Sequence, residues 1–117
     1  MTKTILDHFR APENSGSLDS PTGTGESRNE ACGDLLQIDA EVVDGVVSRI
    51  VFQARACSAV IGVASLITSR AEGRSVAEIL ALDIATSVEE AGGVPPSKRH
   101  AIKMVERALR QALTAKV

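Results

Sequence analysis

Between Leu36 and Ala54 the chain alternates apolar and polar residues on either side of a two-residue turn, and this pattern limits the fold more than any other stretch. Leu36, Ile38, Ala40 and Val42 occupy every second position, with Gln37, Asp39 and Glu41 between them. Successive side chains of a strand point to opposite faces, so this period describes a strand with one dry and one wet face. Asp44-Gly45 is a strong hairpin signal, because glycine tolerates the positive φ that a tight turn requires. Beyond it Val46, Ser48, Ile50, Phe52 and Ala54 read as a second alternating strand, antiparallel to the first.

A two-stranded sheet with one apolar face needs cover, and the sequence supplies it downstream. Val60, Val63, Ala64 and Ile67 recur at helical spacing after Cys57, and Gly73 is placed to end that helix. Ser75-Val76-Ala77-Glu78 has the form of a capping box opening a short helix. Another runs from Asp83 to Gly92-Gly93. After the break at Pro95-Pro96, Ser97 is expected to cap a last helix striped by Ile102, Val105, Leu109, Ala112 and Leu113. Upstream, a short helix from Thr4 to Phe9 is halted by Pro12. Residues 13–30 lack any apolar period and are expected to form a flexible loop, or at most a weak edge strand, delivering the chain to Cys32. The reading is an α+β fold in which helices pack on one face of a small antiparallel sheet, as a single domain over residues 1–117.

Composition excludes several functions. A net charge of -2 argues against a nucleic-acid partner. Phe9 and Phe52 are the only aromatics, too few to build a stacking platform. The apolar run from Ala59 to Ile67 is too short to cross a bilayer, and the N-terminus shows no apolar signal core, so no membrane partner and a cytoplasmic location are expected. In a reducing compartment, two cysteines suit ligands or reactive thiols better than a disulfide.

Both cysteines sit in settings that suit a thiolate. Cys32 is followed by Gly33, which permits a tight turn, and by Asp34, whose carboxylate can face the same point. Cys57 falls between a strand and a helix, where free N–H groups and the helix dipole favour negative sulfur. His100 lies in the first turn of the last helix. Cys32, Asp34, Cys57 and His100 together offer two sulfurs, one oxygen and one nitrogen, a set suited to zinc or to the irons of a small iron-sulfur cluster. Each has a plainer reading as well: Cys32 and Cys57 as inert small core residues, Asp34 as a turn residue and His100 as helix-surface decoration. His8 reads as an interior or capping residue of the first helix.

Five segments, in order, resemble the motifs of the IscU/NifU-type iron-sulfur cluster assembly scaffolds. They are residues 7–16 (Asp7-His8-Phe9-Arg10-Ala11-Pro12-Glu13-Asn14-Ser15-Gly16), Gly23-Thr24-Gly25, Ala31-Cys32-Gly33-Asp34, Ala56-Cys57-Ser58-Ala59 and Pro95-Pro96-Ser97-Lys98-Arg99-His100. The resemblance spans about residues 4 to 113. It implies the α+β fold already read from the pattern and a non-enzymatic role. Such a protein takes sulfur from a cysteine desulfurase and assembles a 2Fe-2S cluster from iron, then passes it to apo iron-sulfur acceptor proteins. It further implies zinc binding at the same site and a chaperone contact around Lys98.

One departure stands out. The family's third cysteine follows the histidine, and Ala101 occupies that position here. The donor set becomes Cys32, Cys57, Asp34 and His100, which weakens the preference for iron-sulfur and accommodates zinc. Arg28 replaces a glycine before the cysteine motif, and with Arg55 and Arg99 it adds positive charge nearby. Two alternatives follow. One is a zinc-binding or metal-free relative that docks to and regulates a cysteine desulfurase; the other is a zinc-dependent sulfur-transfer protein.

Overall fold

A computed structural model of the protein describes residues 3–114. The expected hairpin forms as strands β2 (Asp34–Val43) and β3 (Val46–Arg55). Asp44 and Gly45 join them with φ of 51° and 76°, both in the left-handed region. The alternation of β3 is not continuous, however. Glu41 pairs with Arg49 while Val42 pairs with Val47, so Ser48 is an extra residue, a β-bulge, and its hydroxyl donates to Glu41 Oε1 at 2.8 Å. The bulge exchanges the two faces of the strand: Val47 is buried and Val46 is exposed, the reverse of the simple period.

The loop expected over residues 13–30 stops short, because Gly23–Asn29 form a third strand, β1, antiparallel to β2 from Gly23 opposite Ala40 to Asn29 opposite Asp34. The sheet order is β1-β2-β3. The inward positions of β1 are Gly25 and Ser27, both buried but neither apolar in pattern. A Cβ on Gly25 would lie 1.8 Å from the Ala108 carbonyl oxygen, and Ser27 Oγ donates to the Met104 carbonyl at 2.7 Å. Small residues let a helix press directly on the strand backbone, so the strand carries no hydrophobic signature. Residues before β1 are also tied down. Phe52 N donates to the Asn14 carbonyl and Gly16 N to the Phe52 carbonyl, each at 2.9 Å. Leu18 N then donates to the buried Asp39 carboxylate at 3.2 Å.

Among the described residues, five α-helices accompany the sheet: α1 (Ile5–Arg10), α2 (Ser58–Ala71), α3 (Val76–Leu80), α4 (Ile84–Glu90) and α5 (His100–Leu113). Thr4 and Ser75 close capping boxes at α1 and α3, and Asp83 caps α4. Ser97 caps nothing; Pro96–Lys98 form a 3-10 turn that runs straight into α5. Helix α5 packs on β1 and β2, and α2 packs on β3, so the helices share one face of the sheet. Leu36, Ile38, Ile50, Val60, Val63, Ile67, Val105 and Leu109 meet there with at most 2% exposure. Each such side chain contributes about 1.5–3 kcal/mol on burial.

Helix α1 lies on α2 at Gly62, where a Cβ would come within 2.5 Å of the Ile5 carbonyl oxygen. The close approach buries His8, whose Nδ1 is 2.7 Å from Ser65 Oγ; the same oxygen accepts the Glu13 N–H at 2.7 Å. Burial holds the His8 imidazole below its usual value near 6.5, against the opposing pull of the Glu13 carboxylate. No helix among the described residues is long and apolar enough to cross a membrane.

Candidate metal centre

The four sequence-predicted donors come together at one end of the sheet. Asp34 opens β2 on its inward side and is 5% exposed. The turn before it is held by Cys32 N–H to the Asn29 carbonyl and Gly33 N–H to the Glu30 carbonyl, and Gly33 adopts φ 71°. That left-handed residue lets Cys32 stand exposed beside its neighbour's carboxylate.

Asp34 ties three elements together. Its Oδ1 accepts the Cys57 N–H at 3.2 Å, and its Oδ2 lies 3.1 Å from His100 Nε2. Cys57 is the N-cap residue of α2 and makes no side-chain cap of its own, so a carboxylate from another strand stands at the positive end of that helix. The His100 tautomer that carries its proton on Nε2 donates it to this carboxylate. His100 opens α5, and its Nε2 is also 3.8 Å from Cys57 Sγ.

Cys32 Sγ, an Asp34 carboxylate oxygen and a His100 ring nitrogen all lie within 4.8 Å of one another. Cys57 joins them through His100. Donors on one tetrahedral ion with bonds of ~2.0–2.3 Å stand about 3.3–3.8 Å apart, a spacing close to that of Cys32, Asp34 and His100, whereas the Cys57 sulfur stands outside that group of three and meets it at His100. His100 would hold a metal through Nε2 only in the form that leaves this nitrogen's lone pair free, so binding there would compete with the contact to Asp34. Chemically the arrangement offers two free cysteine sulfurs and one carboxylate with an alternative partner.

Other predicted positions fall around this centre. Ala101 follows His100 and is wholly buried in the core. Lys98 lines a cleft of about 230 Å³ whose other walls include the exposed Leu6 and Phe9 of α1. Arg28 and Arg55 line a groove with Asp34, whereas Arg99 is exposed. The sequence reading does not reach Lys103 and Arg107, which line a second groove with His100 and Arg28. Their signal is spacing: three and seven residues after a helical His100, they fall on its face.

The sequence profile of the NifU-like N terminal domain matches residues 1–115. This chain belongs to that family. The family's relatives include iron-sulfur cluster assembly scaffold protein IscU 1 of Archaeoglobus fulgidus, 35% identical over 109 residues and covering 93% of this chain and 71% of the relative. IscU of Haemophilus influenzae is 35% identical over 113 residues, covering 93% and 89%. Among solved structures, a candidate iron-sulfur cluster assembly scaffold protein for the SUF system from Fervidobacterium islandicum AW-1 superposes with a TM-score of 0.80 at 14% identity, over 97% of this chain and 96% of that one. The N-terminal part of a NifU-like protein from Brucella abortus gives 0.63 at 23% identity, over 94% and 81%. The family's α+β fold, a small antiparallel sheet with helices on one face, is therefore the fold of this chain.

Proposed function

We propose that this protein is a scaffold for iron-sulfur cluster assembly rather than a catalyst, with the cluster as cargo. The observation that carries the reading is the convergence of Cys32, Asp34, Cys57 and His100 from β2, α2 and α5 at one accessible corner. Family membership and relatives named as IscU scaffolds support it. In this reading Cys32 and Cys57 accept sulfane sulfur from a cysteine desulfurase, an external thiol reductant supplies the two electrons that convert each to sulfide, and the same cysteines hold iron in a 2Fe-2S cluster. His100 adds a nitrogen donor, and Asp34 is the most readily displaced ligand because its carboxylate is hard and already has a partner in the Cys57 N–H. A cluster so held passes to an apo acceptor protein, with a chaperone contact near Lys98 and a cytoplasmic setting as parts of the same proposal.

The test is anaerobic reconstitution with iron, cysteine and a cysteine desulfurase, followed by the visible spectrum and assays for iron, zinc and acid-labile sulfide. A sulfide-containing chromophore that moves to an apo acceptor is the expected result. Zinc without sulfide supports the second reading, a zinc-holding relative that docks to the desulfurase or relays its sulfur; equal numbers of sulfur and of oxygen-plus-nitrogen donors suit that metal. Ala101→Cys is expected to slow loss of the cluster, measured as the decay of its absorbance on the purified protein.

A further inference from the structure

The groove beside His100 has a charge that the fold does not use. Arg28, Glu30, His100, Lys103, Met104 and Arg107 line it, an open groove of about 430 Å³. This is the size range of small-ligand clefts, typically about 300–1,000 Å³. Lys103 and Arg107 are exposed and stand four residues apart on α5, a spacing at which like charges repel. Among the described residues neither has an acidic side chain within ion-pair distance, whereas Arg28 is already paired with Glu26 at 3.1 Å. His100 forms a wall of this groove and a donor of the metal centre at once. A ligand seated on the two free cations therefore shares its groove with a donor of the candidate metal centre.

The donor set indicates what that ligand carries. The chain provides two thiolates, and the residue after His100 is a buried methyl with nothing to donate. Soft metal ions favour further sulfur over the Asp34 carboxylate. Asp34 can give up a metal without being stranded, because Oδ1 keeps the Cys57 N–H. We propose that the groove binds a small anionic thiol, a molecule bearing both a thiol and a carboxylate. Its carboxylate rests on Lys103 and Arg107, and its sulfur completes the coordination of a metal held by Cys32, Cys57 and His100. This rests on the metal-centre reading above. The step is a ligand exchange without oxidation: a metal–sulfur bond forms, the metal–Oδ2 bond of Asp34 breaks, and the thiol proton passes to buffer.

The experiment uses the full chain loaded with cobalt(II) without oxygen, then titrated with mercaptosuccinate (anionic), 2-mercaptoethanol (neutral) and cysteamine (cationic) at matched thiolate concentrations. Sulfur-to-cobalt charge-transfer absorbance is the readout. Cobalt bound with two thiolates before any thiol is added tests the centre; no bound cobalt overturns both the centre and this inference. With cobalt bound, mercaptosuccinate is expected to raise the band by about half, as a third thiolate joins two. It is expected to half-saturate at about fivefold lower concentration than 2-mercaptoethanol, with cysteamine weakest. The ranking should collapse at about 1 M salt and in the Lys103→Glu/Arg107→Glu variant. Equal half-saturation for all three thiols, or an unchanged band, overturns the inference and leaves the metal centre standing.

Discussion

The two histidines of this chain sit in matching company and do opposite work. His8, on α1, has a serine hydroxyl at 2.7 Å and a carboxylate, Glu13, at 3.6 Å. His100, on α5, has a carboxylate at 3.1 Å and a cysteine sulfur at 3.8 Å. The difference is access. The His8 side chain is 4% exposed and locked between α1 and α2, so its ring only fastens the two helices; the His100 side chain is 23% exposed at a corner shared with two thiols. A polar network closed to solvent is a structural clasp. The same chemistry left open at an edge, with soft donors beside it, is the candidate metal centre.

Four changes break or sharpen this contrast, from the largest effect down. Gly62→Val drives a side chain into the Ile5 backbone and should lower stability by about 3 kcal/mol by prising α1 off α2, read from urea denaturation. A midpoint equal to that of the unaltered protein would mean the clasp end is not tightly packed. Cys32→Ser acts only at the open end, where the sulfur is exposed: metal affinity should fall about hundredfold with the urea midpoint kept, and unchanged metal stoichiometry would remove Cys32 from the site. Ser65→Ala is the mirror image. It leaves the Glu13 N–H and His8 Nδ1 without their shared partner and should cost about 2 kcal/mol, while metal content stays as before.

The smallest effect is on pH. Because burial lowers the folded pKa of His8 below the usual 6.5, the unfolded chain takes up that proton first. Stability is therefore complete above about 6.5 and declines as pH falls toward the folded pKa. His8→Gln should flatten that slope, measured as urea midpoints from pH 7 downward. An unaltered slope would assign it to other groups.

What could be read in advance depended on how each feature is written in the chain. The β2–β3 hairpin and the α2 and α5 stripes were legible because a half-buried element must repeat its apolar residues at its own period. Strand β1 was legible only as a weak edge strand alternative to a loop, since its inward residues are Gly25 and Ser27, chosen for closeness to α5 rather than for apolar area. The bulge at Ser48 was hidden: Val46 and Val47 are the same residue type, so either could have faced the core. At the metal centre, Cys32-Gly33-Asp34 announced itself as a local turn. Lys103 and Arg107 did not, because solvated cations on a helix look alike until a neighbouring strand makes a groove of them.

By itself the sequence determined the local elements, which rest on neighbours a few residues apart, and the family, which its motifs carry in order along the chain. The tertiary structure decided how closely the candidate donors meet. Asp34 and His100 are 66 residues apart, and their contact exists because small residues on β1 let α5 settle onto the sheet with its first turn beside the start of β2. It also decided that His8 is enclosed and His100 is open, since solvent access follows from which surfaces pack against each other and not from the residues on either side of a histidine.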